Sequence, residues 1–301
     1  MRTAAIMMLL CAILITACSA VDLSAPIPTF DTGVDPESWA TIPAGDFLSG
    51  QSDHPATIGY SYQIMVTDVT VAQYVRYLNA ALADGTIRIV GNQVVGFYPG
   101  DKFHAFKHEV EIPPADYIFI PLDDPSSRFL FDGTSFNGLN GYENHPMTNV
   151  SWFGAWGYCG YNSYRLPTEL EWEKAARGSQ DNRPFPWGEE IARNNANYYA
   201  SRDPFEDMNT FGSRTSPVGF YNGQSYSGYP TLNSASPYGL YDMAGNVWQW
   251  AGDIYVGQSY RYLRGGSKDT HDMDLRIWVR NSAIPTYYSI DVGFRCVSGG
   301  E

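Results

Sequence analysis

Hydrophobic positions recur at helical spacing in three stretches of the chain. The first stretch begins after Thr70, a residue type that favours helix N-caps, and its apolar positions are Val71, Tyr74, Val75, Leu78 and Leu82. Intervals of three and four residues place these side chains on one face of a helix, which can then pack on a core. The pattern therefore predicts an amphipathic helix that starts next to Thr70.

Two later stretches carry comparable start signals. Ser151 is a second N-cap candidate, and the apolar positions that follow it are Trp152, Ala155, Trp156 and Cys159. Thr168 and Glu171 form a capping-box pattern, and Gly178 supplies a stop signal. Outside these three predicted helices the chain is rich in Gly, Pro, Asn and Tyr, a composition that favours short strands and long structured loops.

The N-terminus has a different pattern. A charged start at Arg2 is followed by an apolar run from Ala4 to Ile15 and by the small residues before Cys18, which is the order of a secretory signal peptide. The run is too short to cross a bilayer, which takes about 20 apolar residues. Thr16-Ala17-Cys18 resembles a bacterial lipobox, so we expect cleavage after residue 17 and a lipid anchor on Cys18. The alternative is an ordinary secreted protein in which Cys18 only lies near the cut.

The anchor implies a location. Multiple acyl chains on one residue hold a protein stably on a membrane, so we expect the membrane to be a partner through the N-terminal lipid. Ser19 follows the anchor and is not an aspartate, which favours sorting to the outer membrane of the cell envelope.

The charge balance excludes one class of partner. The 301 residues include 19 Lys plus Arg and 32 Asp plus Glu, for a net charge of −13. Removal of residues 1–17 would take Arg2 away, leaving 18 basic against 32 acidic side chains, a balance of −14. Nucleic acid is not an expected partner, because phosphate binding needs a basic face. The surplus carboxylates have two interpretations, a solvated surface or a supply of oxygen ligands for Ca²⁺.

The rest of the chain is predicted to form one domain that is preceded by a linker. Residues 18–37 contain three prolines and little periodicity, which predicts a lipidated Cys followed by a flexible tether. Residues 38–301 would form the domain, with a diverged insertion at about 84–143. That insertion is either a surface excursion that packs on itself or a rim for ligand recognition.

The segment Tyr238-Gly-Leu-Tyr-Asp-Met-Ala-Gly-Asn-Val-Trp-Gln-Trp250 resembles the signature block of the formylglycine-generating enzymes, or sulfatase-modifying factors. Further blocks follow in that family's order: Val69-Thr-Val-Ala-Gln-Tyr74, Asn149-Val-Ser-Trp152, Tyr164-Arg-Leu-Pro-Thr-Glu-Leu-Glu-Trp172, Ala175-Ala-Arg-Gly178, Pro186-Trp-Gly188, Arg264-Gly-Gly-Ser267 and Gly293-Phe-Arg-Cys296. The resemblance covers about Ser38 to Val297. It implies an irregular α+β fold related to C-type lectins, with few short helices and small antiparallel sheets.

The family's catalytic cysteines have no counterpart here. Catalytic members hold copper with a pair of thiolates, soft ligands that suit a cuprous ion, and place that pair between Ser267 and Asn281. This chain has no cysteine in that interval, so copper is not expected. Trp248 and Ser267 match residues that line the family's pocket. We therefore expect a binding or structural module with an envelope protein or glycan ligand. The alternative is an oxidoreductase of the formylglycine-generating or non-haem metal oxidase type that uses different ligands.

The cysteines that remain after signal removal and lipidation are Cys159 and Cys296. An even remainder in an oxidising compartment implies pairing. The resemblance implies that these two form a structural disulfide.

The resemblance also implies calcium. The side chains of Asp242 and Gln249 and the backbone oxygens of Gly245 and Val247 would be ligands, and oxygen-only coordination suits Ca²⁺. The alternative is a hydrogen-bonded turn without metal, which Asn and Asp also stabilise.

A second implied calcium site begins at Asn197 and the Tyr198 carbonyl. Its acidic partner stays open between Asp203 and Asp207.

Overall fold

The computed structural model describes residues 26–179, 182–209, 211–255 and 257–300. The three predicted helices are confirmed: α1 is Val71–Asp84, α2 is Trp152–Tyr161 and α3 is Glu169–Arg177. A 3₁₀ turn at Asp272–Leu275 is the other helical element in the described ranges. The signal peptide and the predicted lipidation site Cys18 lie outside the described residues.

The helix boundaries follow from local hydrogen bonds. The Thr70 hydroxyl accepts from the Gln73 amide at 3.2 Å, and the Gln73 side chain accepts from the Thr70 amide at 2.9 Å. Thr168 and Glu171 make the same reciprocal pair at α3. Each capping box satisfies backbone donors that a helix start would otherwise leave unpaired. Gly85 ends α1 in the left-handed conformation, with φ 80°.

Short strands supply the rest of the regular structure. They are β1 Trp39–Ile42, β2 Gly45–Ser49, β3 His54–Ile58, β4 Tyr62–Met65, β5 Ile87–Val90, β6 Gln93–Tyr98, β7 Ala115–Pro121, β8 Phe129–Phe131, β9 Phe136–Gly138, β10 Glu206–Asp207, β11 Gly212–Ser213, β12 Ser225–Tyr226, β13 Tyr229–Pro230, β14 Trp248–Ile254, β15 Arg261–Arg264, β16 Arg280–Ala283, β17 Val292–Gly293 and β18 Val297–Gly299.

These strands form small, mostly antiparallel sheets. The largest described sheet has the order β16-β15-β14-β17, in which β17 is parallel to β14. A second sheet, β1-β4-β18, brings together strands from the two ends of the domain, and β5-β6-β7 forms a third. Few helices with small sheets make an α+β fold, so the predicted fold class is confirmed.

The segment at 84–143 contributes to the main core. Val94, Phe119 and Ile120 are buried in the same cluster as residues of α1 and α2. α2 approaches β7 so closely that a Cβ on Gly154 would lie 2.5 Å from the Phe119 carbonyl oxygen, a distance that excludes larger residues there. The segment is thus built into the domain instead of packing only on itself.

The packed part of the chain begins earlier than the predicted boundary at Ser38. The Phe30 ring lies 5.9 Å from Phe205 and 5.7 Å from Phe220. The Thr32 hydroxyl donates to the Val218 carbonyl at 3.0 Å. The last part of the predicted tether therefore lies against the domain, because an aromatic side chain in it finds an apolar site. Among the described residues, no helix is long and apolar enough to cross a membrane.

A disulfide joins Cys159 in α2 to Cys296, which directly precedes β18, with 5.8 Å between the Cα atoms. The predicted pairing is confirmed. It ties the second helix to the last strand across 137 positions of sequence.

Candidate functional site

The signature segment forms a tight turn that leads into β14. Asp242, Gly245 and Asn246 all adopt left-handed backbone conformations, with φ of 57°, 82° and 65°. Gly245 also approaches Asn197, because a Cβ at this glycine would lie 2.5 Å from the Asn197 carbonyl oxygen. Asn and Asp tolerate this conformation better than other residues with a Cβ, so the local sequence fits the turn. The turn therefore brings the first predicted calcium site into contact with Asn197, where the second predicted site begins.

Gln249 is the centre of a buried hydrogen-bond network. Its side-chain oxygen accepts from Trp172 Nε1 at 2.7 Å and from Arg295 Nε at 2.8 Å. Its side-chain nitrogen donates to the Asp242 carbonyl at 2.6 Å. The oxygen predicted as a calcium ligand is therefore already shared by two donors, one of them a cation. Gln249 does not fit the role of a metal ligand.

Two buried carboxyl groups share the charge of Arg295. Arg295 Nη2 donates to Asp68 Oδ1 at 3.1 Å, and burial raises the pKa of Asp68 to about 8 despite this partner. Burial likewise raises the pKa of Asp242 to about 6, although a hydrogen bond from the Gly219 amide at 2.7 Å and the Arg295 charge act in the opposite direction. A proton or a further cation would balance this excess of negative charge.

Asn197 fits a cation better. Its side-chain nitrogen donates to the Arg214 carbonyl at 2.8 Å, whereas its side-chain oxygen is buried without a hydrogen-bond partner. A buried unpaired oxygen costs about 1–3 kcal/mol, and coordination to Ca²⁺ would remove that cost. The Tyr198 carbonyl already accepts from the Ser201 amide at 2.9 Å, but a carbonyl oxygen has a second lone pair.

The acidic partner of Asn197 is not Asp203. Both oxygens of that buried carboxylate are occupied, by the Tyr221 hydroxyl at 2.5 Å and the Ser201 hydroxyl at 3.0 Å on one side and by the Phe205 amide at 2.8 Å on the other. Asp207 stays the alternative. In the described ranges, no three His, Cys, Asp or Glu side chains are grouped so that they could hold a metal ion, so a calcium site here would depend on amide and backbone oxygens.

The two predicted pocket residues both contact Asp291. Trp248 and Ser267 are both buried; the Trp248 amide donates to the Asp291 carbonyl at 2.8 Å, and the Ser267 hydroxyl donates to Asp291 Oδ2 at 3.3 Å. The other oxygen, Oδ1, is buried and makes no hydrogen bond in the structure. Sequence analysis missed Asp291. Its position two residues before the block that begins at Gly293 was the available signal.

The residues between Ser267 and Asn281, where this chain has no cysteine, make other contacts. Thr270 closes a turn on Ser267, since its hydroxyl accepts from the Ser267 amide at 2.9 Å and donates to the Ser267 carbonyl at 3.0 Å. Leu275 is fully buried, whereas Met273 is 58% exposed. A thioether directed to solvent cannot serve as a buried copper ligand, so this interval supports the fold and offers no soft metal site.

Residues 28–299 match the family model described as the sulfatase-modifying factor enzyme 1-like domain. The chain belongs to this family. The inactive C-alpha-formylglycine-generating enzyme 2 of Mus musculus is 38% identical over 160 residues, which cover 51% of this chain and 49% of that protein. The formylglycine-generating enzyme of Streptomyces coelicolor is 33% identical over 186 residues, covering 54% and 55%. This sulfatase-modifying-factor domain therefore spans about half the length of these curated relatives.

Solved structures agree on the fold. The structure of PvdO from Pseudomonas aeruginosa superposes with a TM-score of 0.56 at 22% identity and covers 91% of this chain and 98% of that one. The crystal structure of CarF gives a TM-score of 0.53 at 22% identity, with coverage of 88% and 98%. At this identity the similarity shows the fold of the sulfatase-modifying-factor domain and nothing about its activity.

Proposed function

We propose that this sulfatase-modifying-factor domain is a non-catalytic binding or structural module, anchored by lipid on Cys18 in a bacterial envelope, with an envelope protein or a glycan as its ligand. The observation that carries the proposal is the interval between Ser267 and Asn281. It contains no cysteine, and Thr270 and Leu275 there are used by a turn and by a small hydrophobic cluster.

The chemistry of the family explains why this interval decides between a catalytic and a non-catalytic role. Formylglycine formation as known in the family needs two thiolates to hold cuprous ion beside the substrate thiol. Serine and threonine hydroxyls are hard, protonated groups at neutral pH and do not replace thiolates as ligands for a soft ion. Trp248 and Ser267, which match residues that line the family's pocket, are retained without the reactive pair, a combination that suits binding.

The relatives are compatible with this proposal. The similarity extends both to a protein named as inactive and to one named as an active enzyme. Overall identity therefore does not separate the two roles, and the proposal depends on the residues of the interval.

We expect no formylglycine formation. The purified protein is incubated with a peptide that carries a sulfatase-type target cysteine, with copper, oxygen and reductant, beside an active family enzyme as a positive control. Conversion of the thiol to an aldehyde would lower the peptide mass by about 18 Da. Mass spectrometry should show this loss with the control enzyme alone. The same loss with this protein would overturn the non-catalytic proposal.

One observation favours the oxidoreductase alternative. Asp291 keeps a buried, unpaired carboxylate oxygen beside Ser267 and Trp248, and a carboxylate is a ligand that iron accepts. Metal analysis of the purified protein separates the two functions. Stoichiometric iron or copper, lost in an Asp291→Asn variant, would support the enzyme, whereas calcium alone would support the module.

A further inference from the structure

A cavity of about 590 Å³ lies between the 84–143 segment and two loops, one before β15 and one after β16. Its volume is in the range of small-molecule sites, which measure about 300–1,000 Å³. None of its lining residues is among the predicted site residues discussed above.

Aromatic rings form part of the wall. Tyr117 on β7 stacks on Phe153 of α2, with 4.1 Å between ring centres and 20° between ring planes. Tyr260 lies at the opening and is 39% exposed. The cavity therefore offers apolar and aromatic surface to whatever enters it.

The opening is held by specific hydrogen bonds. The Val110 amide donates to the Ser259 hydroxyl at 2.8 Å, and that hydroxyl donates back to the Val110 carbonyl. The residue before Val110 is Glu109, whose carboxylate accepts from the backbone amides of His104 at 2.9 Å and Phe106 at 3.1 Å. The Val110–Ser259 bonds connect distant parts of the chain, and the Glu109 bonds fix a local turn. Together they pre-organise this part of the lining, which lowers the entropy cost of binding.

The described cavity lining includes one carboxylate. Glu111 lines the cavity, is exposed, and forms no hydrogen bond or ion pair with any residue that the structure describes. No lysine or arginine is among the described lining residues, and His108 is the histidine there. Arg261 follows the lining residue Tyr260, but it is buried and paired with Asp101 at 2.5 Å. A cation entering the cavity would meet the free carboxylate of Glu111, whereas the lining group that could donate to an anion is the His108 ring.

We propose that this cavity binds a small organic cation, an amine or quaternary ammonium attached to an apolar body. Aromatic rings attract such cations by about 0.5–2 kcal/mol, and here Tyr117 and Tyr260 line the same cavity as the Glu111 carboxylate. The net charge of −13 raises the local concentration of cations near the protein. The proposal goes beyond the non-catalytic role and does not depend on it, since an enzyme of this fold would carry the same cavity.

The test uses three soluble probes that share one phenyl and two-carbon body: 2-phenylethylamine as the cation, 2-phenylethanol as the neutral analogue and phenylacetate as the anion. Calorimetric titration at pH 7 should show saturable 1:1 binding of the amine, binding of the alcohol weaker by about fivefold, and no binding of phenylacetate. Equal affinity for amine and alcohol, or tighter binding of phenylacetate, would refute the cation site. Absence of saturable amine binding would refute it as well.

Matched variants locate the site. Glu111→Gln should weaken amine binding by about threefold, as for a partly exposed ion pair, and leave the alcohol unchanged. Glu189→Gln makes the same change in net charge at another exposed glutamate outside the cavity lining and should leave amine binding as in the wild type. Both changes are at exposed positions, so melting curves should match the wild type. Equal weakening by both variants would mean general surface attraction and would overturn the proposal.

Discussion

Gln249 shows what a neutral amide contributes at the centre of the signature turn. It must donate to the Asp242 carbonyl and accept from both Trp172 and Arg295. A glutamate in the same place could accept from both partners but could not donate to the carbonyl unless protonated. The amide therefore connects α3, the turn and the segment before β18 without adding another buried negative charge beside Asp68 and Asp242.

At Asn197, the unpaired buried oxygen predicts calcium-dependent stability. Chelation should lower the melting temperature, and Asn197→Ala should remove the difference between calcium and chelator. A ligand at 100 times its Kd stabilises a protein by about 2.7 kcal/mol. The partly exposed neighbour Asn194 provides a matched control, since Asn194→Ala should keep the calcium effect. Superimposable melting curves of the wild type with and without chelator would contradict the prediction.

His145 predicts a loss of stability in acid. Burial, aided by the charge of Arg128, lowers its pKa from 6.5 to about 3, so the folded protein holds this ring neutral while the unfolded chain protonates it. Its contribution to the free energy of unfolding is complete above pH 6.5 and falls by about 1.4 kcal/mol per pH unit between 6.5 and 3.

The measurement compares urea unfolding of the wild type and His145→Phe at several pH values. The difference between the two pH profiles isolates the effect of His145. Carboxyl groups with a raised pKa, such as Asp203 at about 6, contribute to the stability of both proteins, and their pH dependence has the opposite sign. Their stabilising effect is largest below the unfolded pKa and is lost as pH rises through the folded one. Parallel profiles of the two proteins would show that His145 does not titrate on unfolding.

The residue types at the candidate site were predictable, but the directions of their side chains were not. Asp242, Asn197, Trp248 and Ser267 could be singled out from their blocks, because each block is contiguous. The Gln249 oxygen accepts from Trp172 and Arg295, and one Asp203 oxygen accepts from Tyr221. Asp291 accepts from Ser267 and Trp248. All of these donors come from other segments of the chain. Such contacts leave no trace in local spacing.

At the level of elements, the helices could be predicted well because their signals are local. Thr70, Ser151 and Thr168 each accept the backbone hydrogen bond expected of an N-cap. The strands of the 84–143 segment could not be placed, because their burial is set by α2, which follows about fifty residues later than β6. The core role of Phe119 therefore became visible only in the fold.

The disulfide between α2 and the end of the chain predicts a large effect of reduction. Closing a loop of this length restricts the unfolded chain by about 4–5 kcal/mol in the entropy model, and measured losses on removal run about 2–5 kcal/mol. The Cys159→Ser, Cys296→Ser double variant should unfold at a correspondingly lower urea concentration. The wild type in reductant should approach the double variant. Peptide mass mapping of the non-reduced protein checks the bond itself, and two free thiols in a freshly purified sample would contradict it.

At the scale of the whole molecule, membrane attachment is the main prediction. Changing Cys18→Ser should release a soluble product or leave an unprocessed precursor, because the thiol is the group that accepts the lipid. Fractionation of a bacterial host that expresses the full chain provides the measurement, and Ser19→Ala should stay with the membranes as a control. A Cys18→Ser protein that is cleaved and still fractionates with membranes would disprove lipid anchoring.

The family and its fold could be predicted over most of the chain, since the blocks from Val69 to Cys296 keep their order. The organic-cation cavity could not be predicted. Its walls come from loops near Val110, Ser259 and Pro285, which are more than twenty residues apart in sequence and carry no shared motif.

The sheet β1-β4-β18 also determines when the domain can fold. Its central strand, Tyr62–Met65, pairs with Trp39–Ile42 on one side and with Val297–Gly299 on the other. The second partner lies more than two hundred residues after the central strand, and contacts so distant in sequence form slowly. A growing chain in which β18 has not yet been synthesised leaves one edge of the central strand unpaired. The sheet can therefore be completed only after β18 has been synthesised.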